Sequence, residues 1–294
     1  MELARSDVCR VRQAVGDDAG EIGRLLGIAW LRHVHADWHL PVDWIGTPGF
    51  VLCELAHDER TMELVACLAV GADPPPAAWV RVAAVMRGES SLQQLREMLA
   101  VVLPWLQENQ VSILGWLTES SWPSRWLRAL GFTEVNRIIT YSLDLRATEL
   151  TETIRPRIRP ATVVDMARLA DIEQLAFEPL WRHSRHGLLL AFRQAVSFDV
   201  AEIDDRIVGF QYSVAGADDV SVHLVRLTVT PEAQGRGIGS DLMRTAFLGY
   251  KRIGAARVTL NTQADNHASH HLYERFGFKR EGGGAAVWAI RLDR

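Results

Sequence analysis

The chain has three cysteines in 294 residues, Cys9, Cys53 and Cys67, all in its first quarter and none in a CxxC pair. This excludes a thiolate zinc site and gives no disulfide framework, so all three read as buried small hydrophobes. Lysine is scarcer: Lys251 and Lys279 are the only two, and arginine carries nearly all the positive charge. With a formal net charge of −4 there is no basic excess to attract nucleic acid or anionic lipid. No apolar run reaches the roughly 18 residues of a membrane span, and the opening MELARSDVCRVRQ has no apolar signal segment. Neither nucleic acid nor membrane is expected as a partner, and the expected location is cytoplasmic. HVHADWH, His33 to His39, holds imidazoles but no cysteine or carboxylate set to complete a site, so no metal is expected.

What is present is a duplication. VRQAVGDDAGEIGRLL (Val11 to Leu26) matches IRPATVVDMARLADI (Ile158 to Ile172), with Arg12 and Arg159 lying 147 residues apart. WLRALGF (Trp126 to Phe132) matches LYERFGF (Leu272 to Phe278) at an offset of 146. Each half opens with a short strand, an Asp-capped turn and an amphipathic helix, and each closes with a Gly-capped helix followed by a strand. IITYSLDL and AAVWAIRL are the closing strands. The polar stretch 148–157 reads as a linker between a first domain at 1–147 and a second at 158–294. Strands alternating with helices make both halves α/β or α+β.

QGRGIGS, Gln234 to Ser240, occurs only in the second half, between a strand and a helix. Its backbone N–H groups, added to those of the helix start, suit an anion, with phosphate the natural ligand. No lysine follows the glycines, which excludes a Walker loop. The GxGxG spacing, without a downstream acid, argues against a dinucleotide fingerprint.

QGRGIG also resembles the Q/R-x-x-G-x-G/A signature of the GNAT superfamily of acetyl-CoA-dependent N-acyltransferases. The order LTVTPE, glycine loop, then Asn266, Ala268, Leu272, Tyr273, Gly277 and Phe278 is similar to that family's core. The resemblance covers 158–294, and the first half looks like a diverged copy. It implies two mixed, largely antiparallel sheets flanked by helices, with two central strands splayed apart. It also implies main-chain bonds from Leu227, Thr228 and Val229 to the pantetheine arm. Gln234 begins the cradle, and the amides of Gly235, Arg236, Gly237, Ile238, Gly239 and Ser240 hold the pyrophosphate. Asn266 lies beside the arm. Tyr273 also contacts the cofactor and is the acid for the leaving thiolate.

His223 is the candidate base or, equally, a satisfied partly buried histidine. On a regular strand it shares a face with Val225, Leu227 and Val229, whereas a bulge re-aims it. Where the family builds its acceptor pocket stand Phe177, Glu178, Trp181, His183 and His186, and Asn261 occupies a position where other members use Glu. The first half has one glycine in MRGESS and Leu127 opposite Tyr273, so one cofactor site per chain is expected. The implied activity is acetyl transfer from acetyl-CoA to a primary amine of a small molecule or peptide by direct attack on the thioester. The alternative is a non-catalytic acyl-CoA-binding regulator. The assembly is expected to be a monomer or homodimer.

Overall fold

In both halves an arginine-bearing strand leads into an acid-capped turn. A computed structural model, which describes residues 9–56, 61–118, 122–148, 157–216, 218 and 220–292, shows why the pattern is repeated. On β1 (Arg10–Gln13) Arg12 bonds Asp18 and Glu54, each at 2.7 Å. Arg159 bonds Asp165 at 2.9 Å and Glu202 at 2.8 Å. Each triad ties the first strand to the next strand and to the turn that starts the first helix. The Arg159 guanidinium holds the Asp165 carboxyl down at about 2.

The first half continues through α1 (Ala19–Ile28), β2 (Leu31–Val34), β3 (Phe50–Ala56), β4 (Met62–Gly71), β5 (Ala77–Val85), α2 (Ser91–Glu108), β6 (Ile113–Thr118) and α3 (Ser124–Ala129). After β7 (Thr133–Asp144) the second half runs β8 (Arg157–Pro160), α4 (Met166–Ala176), α5 (Arg185–Gln194), β9 (Ser197–Ile203), β10 (Arg206–Ala215) and β11 (Ser221–Val229). It finishes with α6 (Ile238–Arg252), β12 (Arg257–Gln263), α7 (His267–Arg275), β13 (Lys279–Arg280) and β14 (Ala285–Arg291).

Two compact units result, one of 1–135 with 286–294 and one of 136–285. Within the first, strand order is β1-β3-β4-β5-β6-β14, with β2 also on β5. Within the second it is β7-β12-β11-β10-β9-β8, with β13 on β7. Within each unit the described pairings are antiparallel except β5 with β6 and β11 with β12. The apolar core of the first unit packs α2 against Val80, Leu114, Trp116 and Trp288. That of the second packs Met243, Phe247 and Tyr250 of α6 against Leu224, Val258 and Tyr141.

The closing strands therefore change places relative to the domains read from the sequence. The β7 residues from Asn136 onward pair with β12 in the second unit, while β14 pairs with β6 in the first. Ile139, Tyr141 and Leu143 alternate inward on β7, whereas Val287, Trp288 and Ala289 of β14 are all buried, so neither strand's pattern names its partner. Of the expected linker, 149–156 lie outside the described residues.

The helix ends follow the sequence reading. Gly131 and Gly277 have φ of +90° and +85°, and the amides of Phe132 and Phe278 reach back to the carbonyls of Leu127 and Tyr273 at 3.0 and 3.1 Å. The cysteines do not: Cys9 and Cys53 are joined in a disulfide between the lead-in to β1 and β3, with Cα atoms 5.8 Å apart. Spacing could not show this, because the two meet only through the pairing of β1 with β3. Cys67 is a buried free thiol, pushed up to about 12 by that burial. No helix among the described residues is long and apolar enough to cross a membrane.

Candidate acyl-donor and acceptor site

β11 and β12 run in parallel register only from Ser221↔Arg257 to Leu224↔Leu260. Beyond Leu224 they part. At that point the β10 register slips between Tyr212 and Ser213, leaving Val225 as an extra residue on β11. The Thr230 amide donates to the Val208 carbonyl at 2.8 Å. In that phase the backbones of Arg226 and Thr228 also bond towards β10, whereas those of Leu227 and Val229 face the open edge. Thr228 thus departs from the expectation that all three residues offer main-chain groups to the arm. Its backbone is taken by β10, and its hydroxyl points to Glu173 at 3.4 Å.

The glycine loop follows directly. Gln234 donates from Nε2 to the Val229 carbonyl at 3.0 Å, pinning the loop to the edge. Gly235 and Gly237 have φ of +73° and +85°, and Gly237 caps α6 in the left-handed conformation, which side-chain-bearing residues rarely adopt. A Cβ at either would meet nothing within 4 Å, so the loop lies against open space. Ile238 is anchored in an apolar cluster with Ala201, Ala233 and Leu242, which fixes the helix start. Gly239 lies against Leu272, Leu227 and Val229, and Ser240 is buried in the first turn. Among the described residues no backbone partner is recorded for the amides of 235–240. Arg236 stands exposed above them. Together they form a donor-rich loop with a cationic side chain beside an open strand edge, and this chemistry fits the pyrophosphate and amide-bearing arm of coenzyme A.

Tyr273 is 6% exposed, in the apolar cluster that includes Leu224 and Leu260. Burial pushes its phenol up to about 12, against opposing pulls from Ser269 and Arg226, so it stays protonated at neutral pH. His223 does not share a face with Leu227 and Val229. Because Val225 is a bulge, Val222 and Leu224 join those two on the α6 side, while His223 falls in phase with Arg226 and Thr228. Its Nδ1 is 2.8 Å from the Thr259 hydroxyl, and burial pushes its pKa down. Asn266 is the N-cap of α7, accepting from the Ser269 amide at 3.2 Å. Asn261 is exposed and accepts from the Thr140 hydroxyl at 3.0 Å.

Of the acceptor candidates, Phe177, Trp181 and His183 converge on a buried ion pair that the sequence reading missed. Arg226 donates from Nη2 to Glu173 Oε2 at 2.6 Å and to the Trp181 carbonyl. The Phe177 ring covers the guanidinium face at 4.1 Å. The His183 amide donates to Glu173 at 2.9 Å, and the His183 ring lies 2.8 Å from the Tyr212 hydroxyl. Glu173 is 0% exposed. Burial raises its pKa, and the attraction of Arg226 opposes that rise. One signal was available: Glu173 sits on the apolar stripe of α4 with Met166, Leu169 and Ile172, where a carboxylate needs a partner. Glu178 and His186 are exposed and stand outside this convergence. A separate cavity of about 790 Å³, lined in part by Arg146, Arg257, Arg275 and Lys279, lies at the far end of β12 from the splay.

The first unit repeats the splay and fills it. β5 and β6 pair only from Ala77↔Ile113 to Trp79↔Gly115, and Arg81 is the bulged residue. Then β2 takes the vacated edge, with Leu31↔Val85 and His33↔Ala83 in register and the His35 amide donating to the Arg81 carbonyl at 2.8 Å. Ser91 at the start of α2 bonds the Met86 and Gly88 carbonyls, both at 2.8 Å, closing the loop that corresponds to the cradle. Among the described residues no group of His, Cys, Asp or Glu is placed to hold a metal ion.

Comparison with known proteins agrees with this geometry. The model of the acetyltransferase (GNAT) family matches residues 166–278. An uncharacterized N-acetyltransferase of Methanocaldococcus jannaschii is 31% identical over 125 residues, 42% of this chain and 77% of that protein. The chain spans about half or less of the length of several further curated relatives it matches. Among solved structures, a GCN5-related N-acetyltransferase from Sphaerobacter thermophilus is similar in fold, with a TM-score of 0.61 at 19% identity, over 99% of this chain and 98% of that one. A tandem GNAT protein from the clavulanic acid biosynthesis pathway has a TM-score of 0.60 at 15% identity, over 98% and 99%. With its open strand edge and glycine cradle in the second half and a diverged copy in the first, the chain belongs to the GNAT acetyltransferase family.

Proposed function

We propose that the second unit takes acetyl-CoA as acyl donor and transfers the acetyl group to a primary amine of a small molecule or peptide by direct attack. The observation that carries this reading is the juxtaposition of the open β11 edge at Leu227 and Val229 with the left-handed glycine cradle at the start of α6. Leu227 and Val229 would bond the pantetheine arm, and the amides of Gly235 to Ser240 would hold the pyrophosphate. Bound acetyl-CoA supplies a thioester carbonyl. An edge N–H at Leu227 or Val229 polarises it as the amine nitrogen forms the C–N bond, the C–S bond breaks and the amine loses its proton. Tyr273 keeps its proton at the phenol oxygen and donates it towards the departing sulfur. His223, its pKa lowered by burial, lies off the face that carries Leu227 and Val229, so a neutral amine attacks and the proton it then loses passes through water back to the Tyr273 phenolate.

The test is release of free coenzyme A thiol from acetyl-CoA against a panel of primary amines. Amine-dependent release supports the reading, whereas binding without release identifies a non-catalytic acyl-CoA-binding regulator. Tyr273→Phe is expected to lower kcat about 10- to 100-fold while acetyl-CoA affinity stays within about threefold. A large affinity loss would remove Tyr273 from the role of acid.

A further inference from the structure

Arg226 is held in an unusual way for a residue that only neutralises a buried acid. Arginine–carboxylate pairs frequently use two nitrogens as a fork. Here a single nitrogen, Nη2, serves both Glu173 and the Trp181 carbonyl. Among the described residues Nη1 has no hydrogen-bond partner, and Nε is buried with none. A guanidinium donor left without a partner is costly unless a ligand meets it. Phe177 closes one face of the guanidinium, so an incoming group has to approach in its plane, where the N–H bonds point. The side chain is 11% exposed, it belongs to the residue next to Leu227 on the open edge, and it lies on the sheet face opposite α6, the helix that carries the cradle. A ligand reaching it would therefore come from the side opposite the acyl donor, past Phe177 and Trp181.

Resting on the acetyl-transfer reading above, we propose that Arg226 anchors a carboxylate of the acceptor, so that the preferred substrates are amines that carry a carboxylate near the reacting nitrogen. Glu173 and the Trp181 carbonyl position the guanidinium through Nη2, and Nη1 donates to the acceptor carboxylate. The unit has no counterpart in the first half, where Leu26 and Val82 stand at the corresponding places.

The experiment compares matched acceptors that differ by the carboxylate, phenylalanine against phenethylamine and leucine against isopentylamine, with thiol release as the readout. For the unaltered chain kcat/KM is expected to be at least about tenfold higher for the carboxylated member of each pair, with most of the difference in KM. Arg226→Lys keeps the charge but loses the guanidinium donors and should shrink that ratio. The double variant Glu173→Gln with Arg226→Gln, which leaves no unpaired buried charge, should bring it to about one. The ratio separates this role from a structural one, since a folding defect lowers both members alike. Equal kcat/KM within the pairs, or a preference retained in the double variant, overturns the inference and leaves acetyl transfer standing. Absence of amine-dependent release with every acceptor overturns both.

Discussion

In the first unit the backbone edge at Ala83 and Val85 of β5 is paired with His33 and Leu31 of β2. In the second, the corresponding edge at Leu227 and Val229 of β11 has, among the described residues, no strand partner beyond β10. Both edges arise in the same way, from a bulge that ends a short parallel pairing, at Arg81 in one half and Val225 in the other. The lesson is that the splay belongs to the duplicated scaffold, and ligand capacity depends on what stands at its rim. A protein strand satisfies the edge once. The glycine loop leaves it open the second time.

The largest expected effect on this contrast comes from the cradle. Gly237→Val forces a β-branched residue to φ of +85° and fills the open side of the loop, so acetyl-CoA affinity measured by calorimetry should fall about 100-fold or more. An affinity within threefold of the unaltered chain would show that the loop does not hold the donor.

A smaller and separable effect is expected from the strand that fills the first splay. His33→Pro removes a ladder donor from β2 and should destabilise the first unit by about 3 kcal/mol, seen as a fall of several degrees in its unfolding midpoint. Acetyl-CoA should still bind once per chain with affinity changed less than about twofold. A second binding event in the variant would break the comparison, because the uncovered edge would then be a competent site.

The smallest effect is electrostatic. His33 is buried, its Nε2 lies 3.0 Å from the Val80 carbonyl, and burial lowers its pKa from 6.5 to about 4. Below pH 6.5 the unfolded chain takes up a proton that the folded chain refuses, so stability should fall as pH drops from 6.5 towards 4. His33→Gln can keep a donor to Val80 without titrating. Its urea midpoint should therefore decline less than that of the unaltered chain between pH 7 and 4.5, and parallel declines would exclude β2 as the source.

Much of the site was legible because it is local. Gln234, Gly235, Gly237 and Gly239 state their geometry through backbone chemistry, and Gly131 with Phe132 and Gly277 with Phe278 announce their helix ends. The pair of Arg226 and Glu173 was not legible: the apolar stripe of α4 marks Glu173 as a carboxylate that needs a partner, but the two lie 53 residues apart and meet only when the strand and helix face one another. The face of His223 was equally hidden. One inserted residue at Val225 reverses the alternation, and sequence spacing cannot register a bulge.

By itself, then, the sequence determined the duplication, the helix caps and the anion cradle, all set by residues a few positions apart or by simple repetition. Tertiary structure decided which closing strand serves which half, what fills the first splay and what surrounds Arg226. Those outcomes depend on pairing between distant segments, where a strand's own pattern does not name its partner until the packed core and its hydrogen bonds select one arrangement.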